Sequence, residues 1–126
     1  MGSLVMVVED DEQIRETLTE ILEYHGYDAL AVSHGREALD QLAAGARPAL
    51  ILLDLMMPVM DGQEFRAEQL KQRELASIPV VVISAFRDLR EAVREMRPSA
   101  VLHKPVDLSE LLQVIEHFAG AATIAR

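Results

Sequence analysis

Five short apolar segments, rich in β-branched residues, alternate along the chain with stretches patterned at helical spacing. Residues 4–8, 29–32, 49–53, 80–83 and 100–102 read as strands. Their apolar runs are near-continuous, the pattern of strands covered on both faces, as in parallel sheets. Between the first two, Ile14, Leu18, Ile21 and Leu22 repeat at helical spacing while Glu16, Glu20 and Glu23 mostly face away. Gly26 stands where a left-handed C-terminal cap ends such a helix. A second helix runs from about Arg36 to Ala44, carries Ala38, Leu39 and Leu42, and ends near Gly45. A third is placed at about residues 63–73 on topology alone, because Phe65 and Leu70 lie five apart and polar Gln69 takes the i+4 position. Leu89, Ala92, Val93 and Met96 make an i, i+3, i+4, i+7 stripe that Pro98 helps to stop. The last helix opens with Asp107-Leu-Ser-Glu110, a capping-box-like start. Leu108, Leu111, Leu112, Ile115 and Phe118 then supply its buried face before Gly120.

The order βαβαβαβαβα, without internal repeat or low-complexity linker, predicts a parallel sheet with helices on both faces and right-handed crossovers. A length of 126 residues suits a single domain, 1–126, with its core at about 4–118 and a tail at 119–126 that frays or begins a linker. Half of the residues are hydrophobic, enough for one sizeable core. The absence of cysteine removes disulfides, thiolate metal sites and cysteine nucleophiles together, and matches a reducing compartment. Apolar runs such as 80–83 fall far short of the ~20 residues that span a bilayer. No charged-then-apolar leader opens the chain, so the expectation is a cytoplasmic protein without membrane contact. A net charge of −9 with no basic stripe argues against direct binding of nucleic acid.

Open parallel sheets bind ligands beyond the carboxyl ends of their strands. Glu9-Asp10-Asp11-Glu12 follow the first strand, Asp54 closes the third, Ser84 the fourth, and Lys104-Pro105 follow the fifth. The second strand ends in Val32-Ser33, with no comparable charge. Two like charges ~4 Å apart repel by ~1 kcal/mol in water and ~4 kcal/mol at an effective dielectric of 20. Gathering Asp54 with Glu9 and Asp10 therefore calls for a cation, and hard oxygen ligands suit Mg²⁺. Alone, the acidic run reads equally as a solvated face in which Asp10 or Asp11 caps the next helix. Joined to Asp54, it reads as a metal site. An aspartate closing a buried strand beside a metal is placed to attack a phosphoryl group. Lys104 and Ser84 can then hold phosphoryl oxygens, in a reaction governed by positioning and charge.

These residues resemble response-regulator receiver domains. The likeness rests on Val7-Val8-Glu9-Asp10-Asp11, Leu52-Leu53-Asp54-Leu-Met-Met57-Pro58-Val-Met-Asp61-Gly62, Val82-Ile83-Ser84-Ala85 and Lys104-Pro105, and covers Leu4 to about Phe118. It implies a flavodoxin-like (βα)₅ α/β fold of strand order 2-1-3-4-5, acting as a signalling switch rather than a classical enzyme. It implies phosphotransfer to Asp54 from the phosphohistidine of a sensor histidine kinase or phosphotransfer domain, with an unknown downstream protein or output domain. Mg²⁺, or Mn²⁺ in its place, would be held by Asp10 and Asp54 side chains, the Met56 backbone carbonyl, and Glu9 through a water. Ser84 and Lys104 would sense the phosphoryl group, and Pro105 would follow a cis peptide. Pro58, Asp61 and Gly62 read as loop shapers.

Three positions depart from the family pattern. Val101 stands where Tyr or Phe is usual, Met96-Arg97-Pro98-Ser99 replaces a Gly-Ala pair, and Gln69 replaces a leucine or isoleucine. The phosphate chemistry survives all three, but they put in doubt the family's usual output surface, formed by its fourth helix, fifth strand and fifth helix. An aspartyl-phosphate phosphatase needs an acid two places after its nucleophile, where this chain has Met56. A flavodoxin would need a phosphate cradle where Glu9–Glu12 repel one. The remaining alternative is a receiver-like interaction module that works without phosphorylation. His25, His34, His103 and His117 are expected to face solvent, outside any metal-ligand pattern.

Overall fold

The computed structural model describes residues 3–85 and 90–120, without the side chains of residues 90 and 92. Five parallel strands form one sheet: β1 (Leu4–Val8), β2 (Asp28–Val32), β3 (Leu50–Asp54), β4 (Val80–Ser84) and β5 (Ala100–His103). Their order is β2-β1-β3-β4-β5, as the resemblance implies. The helices are α1 (Glu12–Tyr24), α2 (Gly35–Ala43), α3 (Gly62–Leu70), the short α4 (Arg73–Ala76), α5 (Arg90–Met96) and α6 (Leu108–Ala119).

Alternation along the strands divides the core in two. Met6, Val8, Ile51, Leu53, Val80 and Val82 point to one side, where Leu39, Leu42, Phe65 and Met96 from α2, α3 and α5 cover them. Val5, Val7, Leu50, Leu52, Val81 and Ile83 point to the other, beneath Leu18 and Leu22 of α1 and Leu111 and Ile115 of α6. Each fully buried leucine or valine contributes ~1.5–3 kcal/mol by leaving water, so a strand with two covered faces is apolar until its carboxyl end, where Asp54 and Ser84 close β3 and β4. β3 and β4 are buried along their whole length.

Helix ends follow the capping expectations with instructive exceptions. Asp11 caps α1 by accepting from the Ile14 amide at 3.1 Å, and Gly26 takes the left-handed φ of 89° beyond its end. Gly45 does the same after α2 at φ 111°. His34 does not simply face solvent. Its Nδ1 accepts from the Glu37 amide at 3.2 Å and caps α2. Asp107 caps α6 through the Ser109 and Glu110 amides, while the reciprocal capping box stands at Asp61 and Glu64 of α3. Leu108, expected in the buried face of α6, is half exposed. The expected helix over 63–73 breaks after Leu70, and residues 73–76 form a separate turn, α4. Leu89, placed in the stripe of α5, lies outside the described residues.

Candidate functional site

β1 and β3 are neighbours in the sheet, with Val8 opposite Leu53. The residues that follow, Glu9 and Asp54, therefore emerge side by side at the carboxyl edge. Glu9 is held there by its amide, which donates to Val32 O at 3.1 Å, and its side chain is almost fully buried, as is that of Asp54. Asp10 stays exposed. One carboxylate oxygen from each of Glu9, Asp10 and Asp54 lies within 4.8 Å of the others.

Lys104 reaches into this cluster from the end of β5. Its Nζ donates to Glu9 Oε1 at 3.3 Å and Oε2 at 3.4 Å, and pairs with Asp54 Oδ1 at 3.4 Å. The backbone sets its reach: Lys104 N donates to Ser84 O at 2.9 Å, and the peptide to Pro105 is cis, as the family likeness implies. Ser84 is buried at the end of β4, one residue beyond Ile83, the register partner of Asp54.

The charges of the site work against one another. Burial first, and Asp54 second, push the Glu9 carboxyl from 4.5 to about 7, although Lys104 pulls it down. Burial also raises Asp54 despite the same lysine. For Lys104, burial opposes the charged form, yet Asp54 and Glu9 outweigh it and raise the ammonium. Among the described residues, Lys104 is the one cation set against three carboxylates, which leaves the cluster short of positive charge. The donor set therefore fits a hard divalent cation such as Mg²⁺.

Arg15 was not anticipated. Its Nη1 donates to the carbonyls of Glu9 at 2.8 Å and Asp10 at 3.3 Å, bracing the acidic loop from α1. A basic residue near a helix N-terminus runs against the macrodipole, which was the available signal. Met56, two residues beyond Asp54, is 53 % exposed. Val59 adopts φ 66°, a strained conformation for a β-branched residue, and exposes its side chain in the same loop. A groove of about 920 Å³ opens beside the site between α1 and α6, with Ile14, Leu18, Ile21, Lys104, Pro105 and Val106 among its walls.

A parallel (βα) sheet with an acidic cluster, a lysine and a serine at one carboxyl edge defines a signalling module of the receiver type. The chain belongs to the response regulator receiver domain family, whose model matches residues 5–116. It is 33% identical over 124 residues to the polar-differentiation response regulator DivK of Brucella anthropi, covering 97% of this chain and all of that one. Among solved structures it resembles a response regulator receiver protein of Pseudomonas putida, at 29% identity and TM-score 0.85, covering 93% of this chain and 98% of that chain. It also resembles the receiver domain of sensor histidine kinase PA1611 of Pseudomonas aeruginosa, at 25% identity and TM-score 0.87, covering 96% and 100%. In that protein a magnesium ion is coordinated in the active site cleft. Receivers are modules of two-component signalling, not classical enzymes. Among the described residues no helix is long and apolar enough to cross a membrane.

Proposed function

We propose that the chain is a phosphoacceptor switch in which Asp54 takes a phosphoryl group from the phosphohistidine of a sensor histidine kinase or phosphotransfer domain. The observation that carries this reading is the convergence of Glu9, Asp10 and Asp54 within 4.8 Å with Lys104 inserted among them. A carboxylate oxygen of Asp54 attacks phosphorus, the P–N bond of the donor breaks, and its electron pair returns to the imidazole nitrogen. Mg²⁺, or Mn²⁺, when bound by Asp10, Asp54, the Met56 carbonyl and Glu9 through a water, supplies charge neutralisation for the phosphoryl oxygens.

The protein's own groups do the rest. Lys104 exchanges its contact with Asp54 for a phosphoryl oxygen, while Glu9 keeps its ammonium near the site. Ser84 donates its hydroxyl to another phosphoryl oxygen. Arg15 keeps the acidic loop in place. Burial of Asp54 excludes bulk water from the nucleophile before the donor arrives. The groove between α1 and α6 supports a protein donor, because Lys104 and Pro105 form part of its wall and anything seated there lies beside the acceptor. The domain comprises the whole chain, works in the cytoplasm, and passes its state to a downstream protein or output domain.

Acetyl phosphate with Mg²⁺, followed by intact-mass measurement, tests the reading. Wild-type protein gains one phosphoryl group, Asp54→Asn gains none, and Asp10→Asn binds Mg²⁺ more weakly by calorimetry. Gain in Asp54→Asn would remove the site assignment. The phosphorylation-independent module draws its support from Val101, and it would stand if wild-type protein, correctly folded and supplied with Mg²⁺, gained nothing.

A further inference from the structure

The buried residues of α3 are Gly62, Phe65, Arg66 and Gln69, at i, i+3, i+4 and i+7. They form one stripe along the helix, and its two ends touch different machinery. At the first end the Gly62 amide donates to Leu55 O at 3.0 Å, one residue from the acceptor. The approach is so close that a Cβ on Gly62 would lie 2.8 Å from Asp54 O and 3.0 Å from Leu55 Cα. Phe65 fills the middle of the stripe, fully buried in the same core cluster as Leu55 and Met96.

At the other end Arg66 grips α5. Its Nε donates to Met96 O at 2.8 Å, Nη2 to Arg97 O at 2.9 Å, and Nη1 to Gln69 Oε1 at 2.8 Å. Gln69 in turn donates through Nε2 to Leu75 O at 2.8 Å and Ile78 O at 3.1 Å, where α4 leads into β4. The buried Arg66 thus sets its guanidinium at the carbonyl end of a helix, where the last C=O groups lack intrahelical partners and the dipole favours a cation. Arg97 takes a left-handed φ of 50°, which turns the chain out of α5 with its carbonyl still held by Arg66. Two positions that depart from the family pattern, Gln69 and the Met96–Ser99 stretch, therefore belong to one network.

We propose that α3 carries the state of Asp54 to the C-terminal end of α5 through Arg66 and Gln69. The inference rests on Asp54 being the acceptor. Val101 is small, stiff about χ1 and only partly buried, so its side chain has little room to report a change. A shift at Gly62 moves a nine-residue helix as a unit. Arg66 cannot release its acceptors without leaving buried donors unsatisfied, so the end of α5 follows α3 rather than sliding past it. What the network supplies is two contacting elements whose arrangement the acceptor can bias.

Hydrogen exchange on the full chain, with and without beryllofluoride and Mg²⁺, tests the coupling. In wild type the amides of residues 94–99 and 66–78 should change exchange rate by about five-fold or more, within the usual range of allosteric coupling. Arg66→Leu combined with Gln69→Leu keeps apolar volume and removes the network. It should lose the change at 94–99 while still gaining a phosphoryl group from acetyl phosphate. If that variant does not fold by circular dichroism, Arg66→Lys serves instead, since an ammonium keeps the charge but not the forked, planar reach, and the change at 94–99 should shrink. Persistence of the full change in the folded variant overturns the inference. So does a wild type that is phosphorylated yet changes at 100–103 and not at 94–99. A wild type that gains no phosphoryl group overturns the acceptor reading itself.

Discussion

Both carboxylate oxygens of Glu9 lie within 3.4 Å of the Lys104 ammonium, so the residue that follows the fifth strand pairs with the residue that follows the first. The pairing is partial, because the same ammonium also serves Asp54 at 3.4 Å. Glu9 consequently keeps a carboxyl pushed up to about 7 by burial and by Asp54.

That shift sets a direction for stability against pH. The folded protein holds a proton on Glu9 that the unfolded chain releases near 4.5, so between 4.5 and about 7 the folded state binds more protons. Stability is then greatest below that window and declines as pH rises through it, by ~1–3 kcal/mol at this site. Asp54, raised as well, acts in the same direction. Urea unfolding followed by circular dichroism, suited to a chain without tryptophan, should give lower stability at pH 8 than at pH 5 in EDTA. Glu9→Gln should reduce the difference, and Mg²⁺ should restore wild-type stability at pH 8 by binding the ionised cluster. A difference that is unchanged in Glu9→Gln would show that Glu9 does not cause it.

Gly62→Ala should be severely destabilising although the position is helical. The obstacle is space: the new methyl would meet the Asp54 carbonyl at 2.8 Å and the Leu55 backbone at 3.0 Å, and neither is a flexible side-chain end. Overpacking of this kind costs ~1–3 kcal/mol. The displaced backbone carries the acceptor, so Mg²⁺ affinity should fall with stability. A variant within experimental error of wild type in both measurements would remove the close-contact argument.

How much of this was legible in the sequence depends on what each element buries. β1, β3 and β4 declare themselves because both faces are covered, so burial asks for an apolar side chain at nearly every position. The site followed from the same reading, since Glu9, Asp54, Ser84 and Lys104 are what follow or close strands on one edge. α3 was illegible by periodicity for a physical reason: its inward stripe contains a glycine, an arginine and a glutamine, which hydropathy scores as solvent-facing. The burial of Arg66 and Gln69 is offset by hydrogen bonds to carbonyls brought near only by the fold. Asp61 looked like a turn residue for a related reason, because turns and N-caps favour the same side chains.

Phosphate should be lost slowly once Asp54 is modified. Hydrolysis needs a water in line with phosphorus, and exposed Met56, two residues beyond Asp54, has no group to orient one. Phe86, the other residue expected to flank that approach, lies outside the described residues. Met56→Asn should accelerate the decay of the phosphorylated mass, and more so together with Phe86→Glu. Equal or slower decay in the double variant would mean that these side chains do not govern access of water.

The end of α6 offers a test of how that helix is secured to the sheet. The Tyr27 hydroxyl donates to Gly120 O at 2.7 Å and the Ser3 hydroxyl to Ala119 O at 2.9 Å, so two residues near the starts of β2 and β1 satisfy carbonyls that the helix leaves open. The Tyr27 ring is buried, which makes Tyr27→Phe a removal of the hydroxyl with little change in packing. Loss of one such bond, with its acceptor still able to reach water, should cost ~1 kcal/mol. Alkaline pH gives an independent reading. Burial, and then Glu116, raise the Tyr27 hydroxyl above its usual 10.0, so the folded state keeps a proton that the unfolded chain loses. Its contribution is complete below pH 10 and disappears as pH climbs above that value. Urea midpoints at pH 8 and pH 10.5 should therefore converge for wild type and Tyr27→Phe at the higher pH. A gap between them that stays constant, or widens, would show that the hydroxyl does not hold the end of α6.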